Sequence, residues 1–315
     1  LISAIAGATA NLAILWTDDF RVLIFLRAAT GFCLAGIYPI GMKIAADYHQ
    51  KGLGKALGYL VGALVLGTAF PHLLRGLTGD LRWEVIILAT SALALFGGLL
   101  LFLMVPDGPY RTKSGKINLS TSFTVFRNAD LRSAAFGYFG HMWELYSFWA
   151  FLPLILNTYN ALHSTSLVDI PLTAFLIICA GAVGCVSGGY LASSWGSFNT
   201  ARLALTMSMV CCLASPFIFQ LPLVPFLSIL TLWSVSVVAD SPQFSTLVAG
   251  SASAESKGTA LTIVNCIGFF ITILSIQFVS YLAGRFSDEH AYLILAIGPL
   301  LGISAMRRSR KERRS

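Results

Sequence analysis

The stretch IPLTAFLIICAGAVGCVSGGYLAS, residues Ile170–Ser193, decides the fold class. It contains no Asp, Glu, Lys or Arg, and it is longer than the roughly 20 apolar residues a helix needs to cross the hydrocarbon core of a bilayer. It also lacks the every-second-residue alternation that a membrane barrel strand shows over about 10 residues. One such run could be the core helix of a soluble protein, but its composition is that of the whole chain. Of 315 residues, 56% are hydrophobic and 11% charged, against about 25% charged in an ordinary soluble domain. So few charges cannot cover a water-exposed surface of this size. The mean hydropathy of +0.77 agrees, and the composition reads as a polytopic membrane protein.

Working outward from 170–193, the same rule divides the chain into ten segments, roughly 1–16, 20–46, 55–76, 83–105, 131–156, 170–193, 201–220, 223–247, 258–283 and 290–306. The expected fold class is all-α. The six cysteines, Cys33, Cys179, Cys185, Cys211, Cys212 and Cys266, all lie in apolar stretches. They show no C-x-x-C spacing or flanking His, and so read as small apolar residues. No metal and no cofactor is expected. The chain begins at Leu1 without a recognisable signal peptide, so an earlier start to the natural chain is expected.

Cations set the orientation. With the first segment running outward, the inner side receives Lys43, Lys51, Lys55, Arg111, Lys113, Lys116, Arg127, Arg132, Arg202, Lys257 and the tail cations Arg307, Arg308, Arg310, Lys311, Arg313 and Arg314. The outer side receives only Arg21, Arg75, Arg82 and Arg285, as the positive-inside rule requires. The net charge of +7 therefore reports topology. A basic tail beside a membrane helix reads as an anchor facing anionic lipid, not as a nucleic-acid site. The expected location is a bacterial inner membrane, multi-pass, with the C-terminus cytoplasmic.

The longest polar stretch predicts a linker at 107–130 between a four-helix bundle at 1–106 and a six-helix bundle at 131–306, with a basic tail at 307–315. An internal repeat accounts for the unequal halves. Tyr38-Pro39 and Gly54-Lys55-Ala56-Leu57 match Ser241-Pro242 and Gly258-Thr259-Ala260-Leu261, at a near-constant displacement of about 200 residues. On that displacement the partners of the fifth and sixth segments precede Leu1, so the expected whole has about twelve helices.

The residues that carry this repeat also carry a family likeness. RAATGFCLAGIYPIGMKIAADY (Arg27–Tyr48) and GKALGYLVGALVLGTAFPHL (Gly54–Leu73) resemble the fourth and fifth helices of the major facilitator superfamily. Arg27, Gly31 and Ala35 match its R-x-x-x-G-x-x-x-small pattern, and Gly58, Gly62, Gly67 and Pro71 its glycine-rich fifth-helix motif. GGYLASSWGS (Gly188–Ser197) is similar to its loop motif between helices eight and nine, with Ser193 and Ser194 where the family has Asp and Arg. GYFGHMWELYSFWAF and VVADSPQFSTLVAG resemble porters near the nitrate/nitrite and cyanate branch. The resemblance implies a monomeric secondary transporter moving a small solute, with protons as the expected coupling partner, by alternating access between two six-helix bundles.

Several residues could carry that chemistry. Arg27 lies roughly 10 Å inside its segment, where a charge needs a partner or a wet cavity. It reads either as a structural pair or as an attractor of anionic solute. His141 and Glu144, three residues apart, share a helix face at mid-bilayer depth beside Tyr138, Trp143, Tyr146, Phe148 and Trp149. They read as a buried pair joining helices or as a proton-coupling acid tuned by an imidazole. H-x-x-E lacks the second His of a zinc motif. Asp240 precedes Pro242 and reads as an inner gate, an ion site or a simple turn. Asn265 and Thr262 serve solute or helix packing, and Tyr38, before Pro39 in the repeated stretch, completes the binding or coupling set. Gly31, Gly58, Gly62, Pro71 and Gly189 are the packing and gating set.

Two other classes compete. An intramembrane enzyme would use a nucleophile such as Ser187 in GCVSGG, for which no partner His is apparent. A non-transporting sensor or scaffold would share every helical feature. An ATP-driven pump is not supported, because no G-x-x-x-x-G-K-[ST] loop is present.

Overall fold

The computed structural model describes the chain except residues 50, 79–81, 112–122, 165–167, 254–255, 286–287 and 313–315. Lys113, Lys116, Arg313, Arg314 and residues 112–122 of the expected linker lie outside the described residues. The described residues form helices and turns only. In order they are α1 (Ile2–Ala13), α2 (Phe20–Leu34), α3 (Tyr38–Tyr48), α4 (Leu53–Thr78), α5 (Trp83–Met104), α6 (Ala129–Leu162), α7 (Ile170–Trp195), α8 (Ser197–Ile218), α9 (Leu223–Ala239), α10 (Ser241–Ser251), α11 (Lys257–Ala283), α12 (Asp288–Ala291) and α13 (Ile297–Glu312). They cover all ten segments read from the sequence. Seven spans are long and apolar enough to cross a membrane, while Ile2–Trp16 and Tyr292–Met306 are apolar but shorter. The tenth, α6, is the longest helix at 34 residues.

The helices start where the sequence offers acceptors. Asp19, Asn128 and Asp169 each accept backbone N–H groups at the first turns of α2, α6 and α7, satisfying donors that a helix start leaves unpaired. Between α7 and α8 the chain turns at Gly196, whose φ of 84° is a conformation that costs glycine little.

Two segments that read as single spans are broken. α2 ends at Leu34 and α3 begins at Tyr38, with Pro39 in its first turn. α9 ends at Ala239 and α10 begins at Ser241, with Pro242 in its first turn. Proline supplies no N–H for the preceding turn and disfavours helical geometry in the residue before it. The breaks fall at the two positions the repeat aligns, Tyr38-Pro39 and Ser241-Pro242.

The helices group into two compact units, Leu1–Gln50 with Leu77–Thr112, and Lys51–Gly76 with Lys113–Ser315. The division does not follow the linker, because α4 groups with the C-terminal helices. In the first unit α1 packs on α2 and α5, and α2 has no buried residue. In the second unit α6 packs on α10, α11 and α13, while α7 packs on α8 and α9. Glycines permit the closest approaches. A Cβ at Gly140 would collide with the backbone carbonyl of Gly298 on α13, and one at Gly298 with that of Gly140. Close backbone contact of this kind drives association where lipid leaves no hydrophobic force between helices.

Candidate functional site

α6 delivers two ionisable side chains into the second unit, and they face different partners. Glu144 is wholly buried. Its carboxyl accepts from Trp233 Nε1 of α9 at 2.6 Å, from Ser208 Oγ of α8 at 2.9 Å and from Cys212 Sγ of α8 at 3.1 Å. Phe148, one turn along α6, packs its ring 4.7 Å from that of Trp233 and fixes the indole. One carboxyl thus ties α6, α8 and α9 together, and a buried group stripped of water needs such donors.

His141 turns instead to Asp240, with Nδ1 2.8 Å from a carboxylate oxygen and both side chains wholly buried. Asp240 occupies the break itself. It ends α9, and its carbonyl accepts the N–H groups of Gln243 and Phe244 at 2.9 Å each, starting α10. The His141 ring lies between Tyr138 and Phe244, with centroids 5.6 and 6.4 Å away. Phe244 covers Gly137, where any Cβ would strike its ring. The short helix α10 is therefore held to α6 at its start by the His141–Asp240 pair and the Phe244 ring, and at its end by the Asn128 amide, which donates to the Ser251 carbonyl at 3.0 Å. The sequence reading made His141 the tuner of Glu144. The structure gives it Asp240 as its close partner, on a distant part of the chain.

Gln243, which the sequence reading did not select, is wholly buried, and neither its amide nitrogen nor its amide oxygen has a hydrogen-bond partner among the described residues. Its sequence signal was an amide one turn after Asp240, in the first turn following a proline. Asn265 is buried and satisfied, accepting from Tyr138 Oη at 2.7 Å and donating to the Leu261 carbonyl at 2.7 Å. It serves as a tie between α6 and α11.

In the first unit, Arg27 donates to Asn11 Oδ1 at 3.1 Å, and the Asn11 amide donates to Ser91 Oγ at 2.9 Å and Thr90 Oγ1 at 3.3 Å. The polar partner expected for Arg27 is thus Asn11 of α1. Tyr38 opens α3 at the first break. Gly31 has open space where a Cβ would stand, so no close packing is seen there. Pro71 lies inside α4. The remaining packing glycines do meet a neighbour. A Cβ at Gly58 would lie 2.7 Å from the Cys185 carbonyl, at Gly62 3.4 Å from that of Ala182, and at Gly189 2.9 Å from that of Gly54. They form a seam between α4 and α7. Ser187 bonds back to the Gly184 carbonyl of its own helix at 3.2 Å, which is helix geometry and not that of an activated nucleophile.

Comparison with known proteins follows the same lines. The family model described as Major Facilitator Superfamily matches residues 1–276. A Bacillus subtilis (strain 168) protein, the uncharacterized MFS-type transporter YybF, is 27% identical over 125 residues, or 38% of this chain. The match spans 31% of that relative's length. The crystal structure of the E. coli fucose:proton symporter FucP, in a single-substitution form, superposes with a TM-score of 0.66 at 18% identity, covering 98% of this chain and 82% of that one. At that identity the likeness speaks for the fold.

Proposed function

Because the chain belongs to the Major Facilitator Superfamily, a family of membrane transporters and not of enzymes, we propose that it is a secondary transporter of a small solute, working by alternating access and driven by protons. It acts as a monomer in a bacterial inner membrane, with the tail on the cytoplasmic side. The observation that supports coupling is the enclosure of Glu144, His141 and Asp240, each wholly buried in the second unit. Ionisable groups at membrane depth are expensive and are retained for ion or proton pathways. Away from water, the charge state of such a group is set by the partners that face it, and the His141–Asp240 pair changes its attraction when the imidazole charges. Because Asp240 sits at the break, a proton taken up there acts on the joint between α9 and α10, which Pro242 has already loosened. Arg27, held to Asn11, is the candidate attractor of an anionic solute.

The test uses the full-length protein in proteoliposomes with a panel of labelled solutes and an imposed pH gradient. Glu144→Gln is expected to abolish gradient-driven accumulation while sparing solute exchange, and Asp240→Asn to impair both. Unchanged accumulation in both variants would return these groups to a structural role.

A further inference from the structure

The seam between α4 and α7 is smooth where it is tightest. Where Gly58 meets the Cys185 carbonyl and Gly189 meets the Gly54 carbonyl, the two backbones touch, so no side chains interlock at those points to resist sliding or separation. Directional contacts stand on the flank of this seam. Tyr59 Oη of α4 lies 3.0 Å from Tyr190 Oη of α7, with the rings edge to face at 6.4 Å. Lys55 Nζ, one turn earlier on α4, stands over the Tyr190 ring at 4.1 Å from its centroid. Both tyrosines are about half exposed, at 55% and 49%, so this group is not a product of core packing.

It stands next to the positions where the family resemblance expects a charge contact. Ser193 and Ser194 occupy those positions, and their hydroxyls bond back to the Tyr190 and Leu191 carbonyls of their own helix. They offer α4 no hydrogen bond. Among the described residues, the polar links from α4 to α7 across this end of the seam run through Lys55, Tyr59 and Tyr190.

We propose that Lys55, Tyr59 and Tyr190 form a clasp that holds the N-terminal end of α4 against the C-terminal end of α7, and that opening this end of the protein requires the clasp to break. The inference rests on the alternating-access reading for its purpose, but not for its geometry. The Lys/Arg distribution assigns this end to the inside, so the clasp closes the inner mouth. A hydroxyl pair and a cation over a ring are each weak enough to break within a transport cycle and directional enough to restore one register on closing.

A reporter can be set in the seam itself. The Cys185 thiol faces the Val238 carbonyl of α9, but the Val186 side chain faces α4, with Cγ2 3.6 Å from where a Cβ at Gly62 would stand, and Cys266 of α11 is exposed. In a Val186→Cys background of the full-length protein in lipid nanodiscs, the rate at which N-ethylmaleimide alkylates the introduced thiol, read by peptide mass spectrometry against Cys266, measures seam opening. Tyr59→Phe and Tyr190→Phe are each expected to raise that rate about threefold, and the double variant no further, because one shared bond is lost. Lys55→Met should raise it about two- to fivefold, and Lys55→Arg, which keeps a cation over the ring, should restore the original rate. Unchanged alkylation of the Val186→Cys thiol in the Phe variants and in Lys55→Met overturns the clasp, as does a double Phe variant whose effect is the product of the singles. A rise matched at Cys266 marks general loosening and also counts against it. Solute exchange by the unsubstituted protein is measured in parallel. Absence of exchange with the Val186→Cys thiol still released by the variants removes the transport reading and leaves the clasp. Normal exchange with that thiol unaffected does the reverse.

Discussion

Replacing Glu144 with leucine should destabilise the second unit by an amount that its three donors decide. Ser208 already shares its hydroxyl with the Leu205 carbonyl at 3.1 Å, so it keeps an acceptor when the carboxyl goes. Cys212 is a weak donor and loses little. Trp233 is wholly buried and spends its single N–H on Glu144. Leaving that N–H unpaired costs about 1–3 kcal/mol, and the two lesser bonds add about 0.6 kcal/mol each, the average for interhelical hydrogen bonds in membranes. The expected total is therefore about 2–4 kcal/mol. Trp233→Phe keeps a ring against Phe148 and removes the donor, so in its background Glu144→Leu should lose most of the indole penalty. The cycle should return a coupling of about 1–3 kcal/mol. Equilibrium unfolding of the full-length protein in mixed micelles, titrated with dodecyl sulfate, measures all four variants. A single-variant cost below about 0.5 kcal/mol, or a coupling of zero, refutes the claim that this carboxyl holds α8 and α9 to α6 through the indole.

Other outcomes follow from the same geometry. Gly67→Ala, on a part of α4 with open space at the Cβ position, should be neutral or stabilising by up to about 1 kcal/mol; Gly58→Ala, aimed at the Cys185 carbonyl, should cost about 1–3 kcal/mol in the same titration. Asn11→Leu removes the acceptor of Arg27 and the donor to Ser91, and should loosen the first unit by about 1–2 kcal/mol, with Ser91→Ala costing less; limited proteolysis between α1 and α5 reads the difference. Reporter fusions at Ser114 and after Ser315 should both report a cytoplasmic position, and an external signal from either one would invert the topology.

The spans were legible because apolarity over helix length is a one-dimensional property, and all ten segments reappear within a few residues. The breaks were half legible. Pro39 and Pro242 stood in the sequence, and the repeat aligned them, but in a run such as 223–247 the polar stretch Asp240-Ser241-Pro242-Gln243 is too short, between apolar flanks, to divide the segment on a span-length window. The polar partners were not legible. Glu144 and His141 share a helix face, which suggested one functional pair, yet three residues along a helix still point some 60° apart. That angle directs one side chain to Trp233 and the other to Asp240. Cys212 read as a small apolar residue and serves as a thiol donor. Gln243 offered only its place one turn after Asp240, which does not reveal burial, since burial of an amide is set by what folds over it.

The length of α6 has a consequence for the lipid around the protein. Thirty-four residues extend about 50 Å as a straight helix, beyond the ~40–45 Å thickness of a bilayer with its headgroups. The helix must lean, bend at its internal Pro153, or stand proud of the surface. Leaning spreads the mismatch over neighbours that are locked to it through Gly140 and Gly298. Membrane thickness then enters the same mechanical linkage as the buried charges, because the helix that carries Glu144 and His141 is the one whose inclination the bilayer sets.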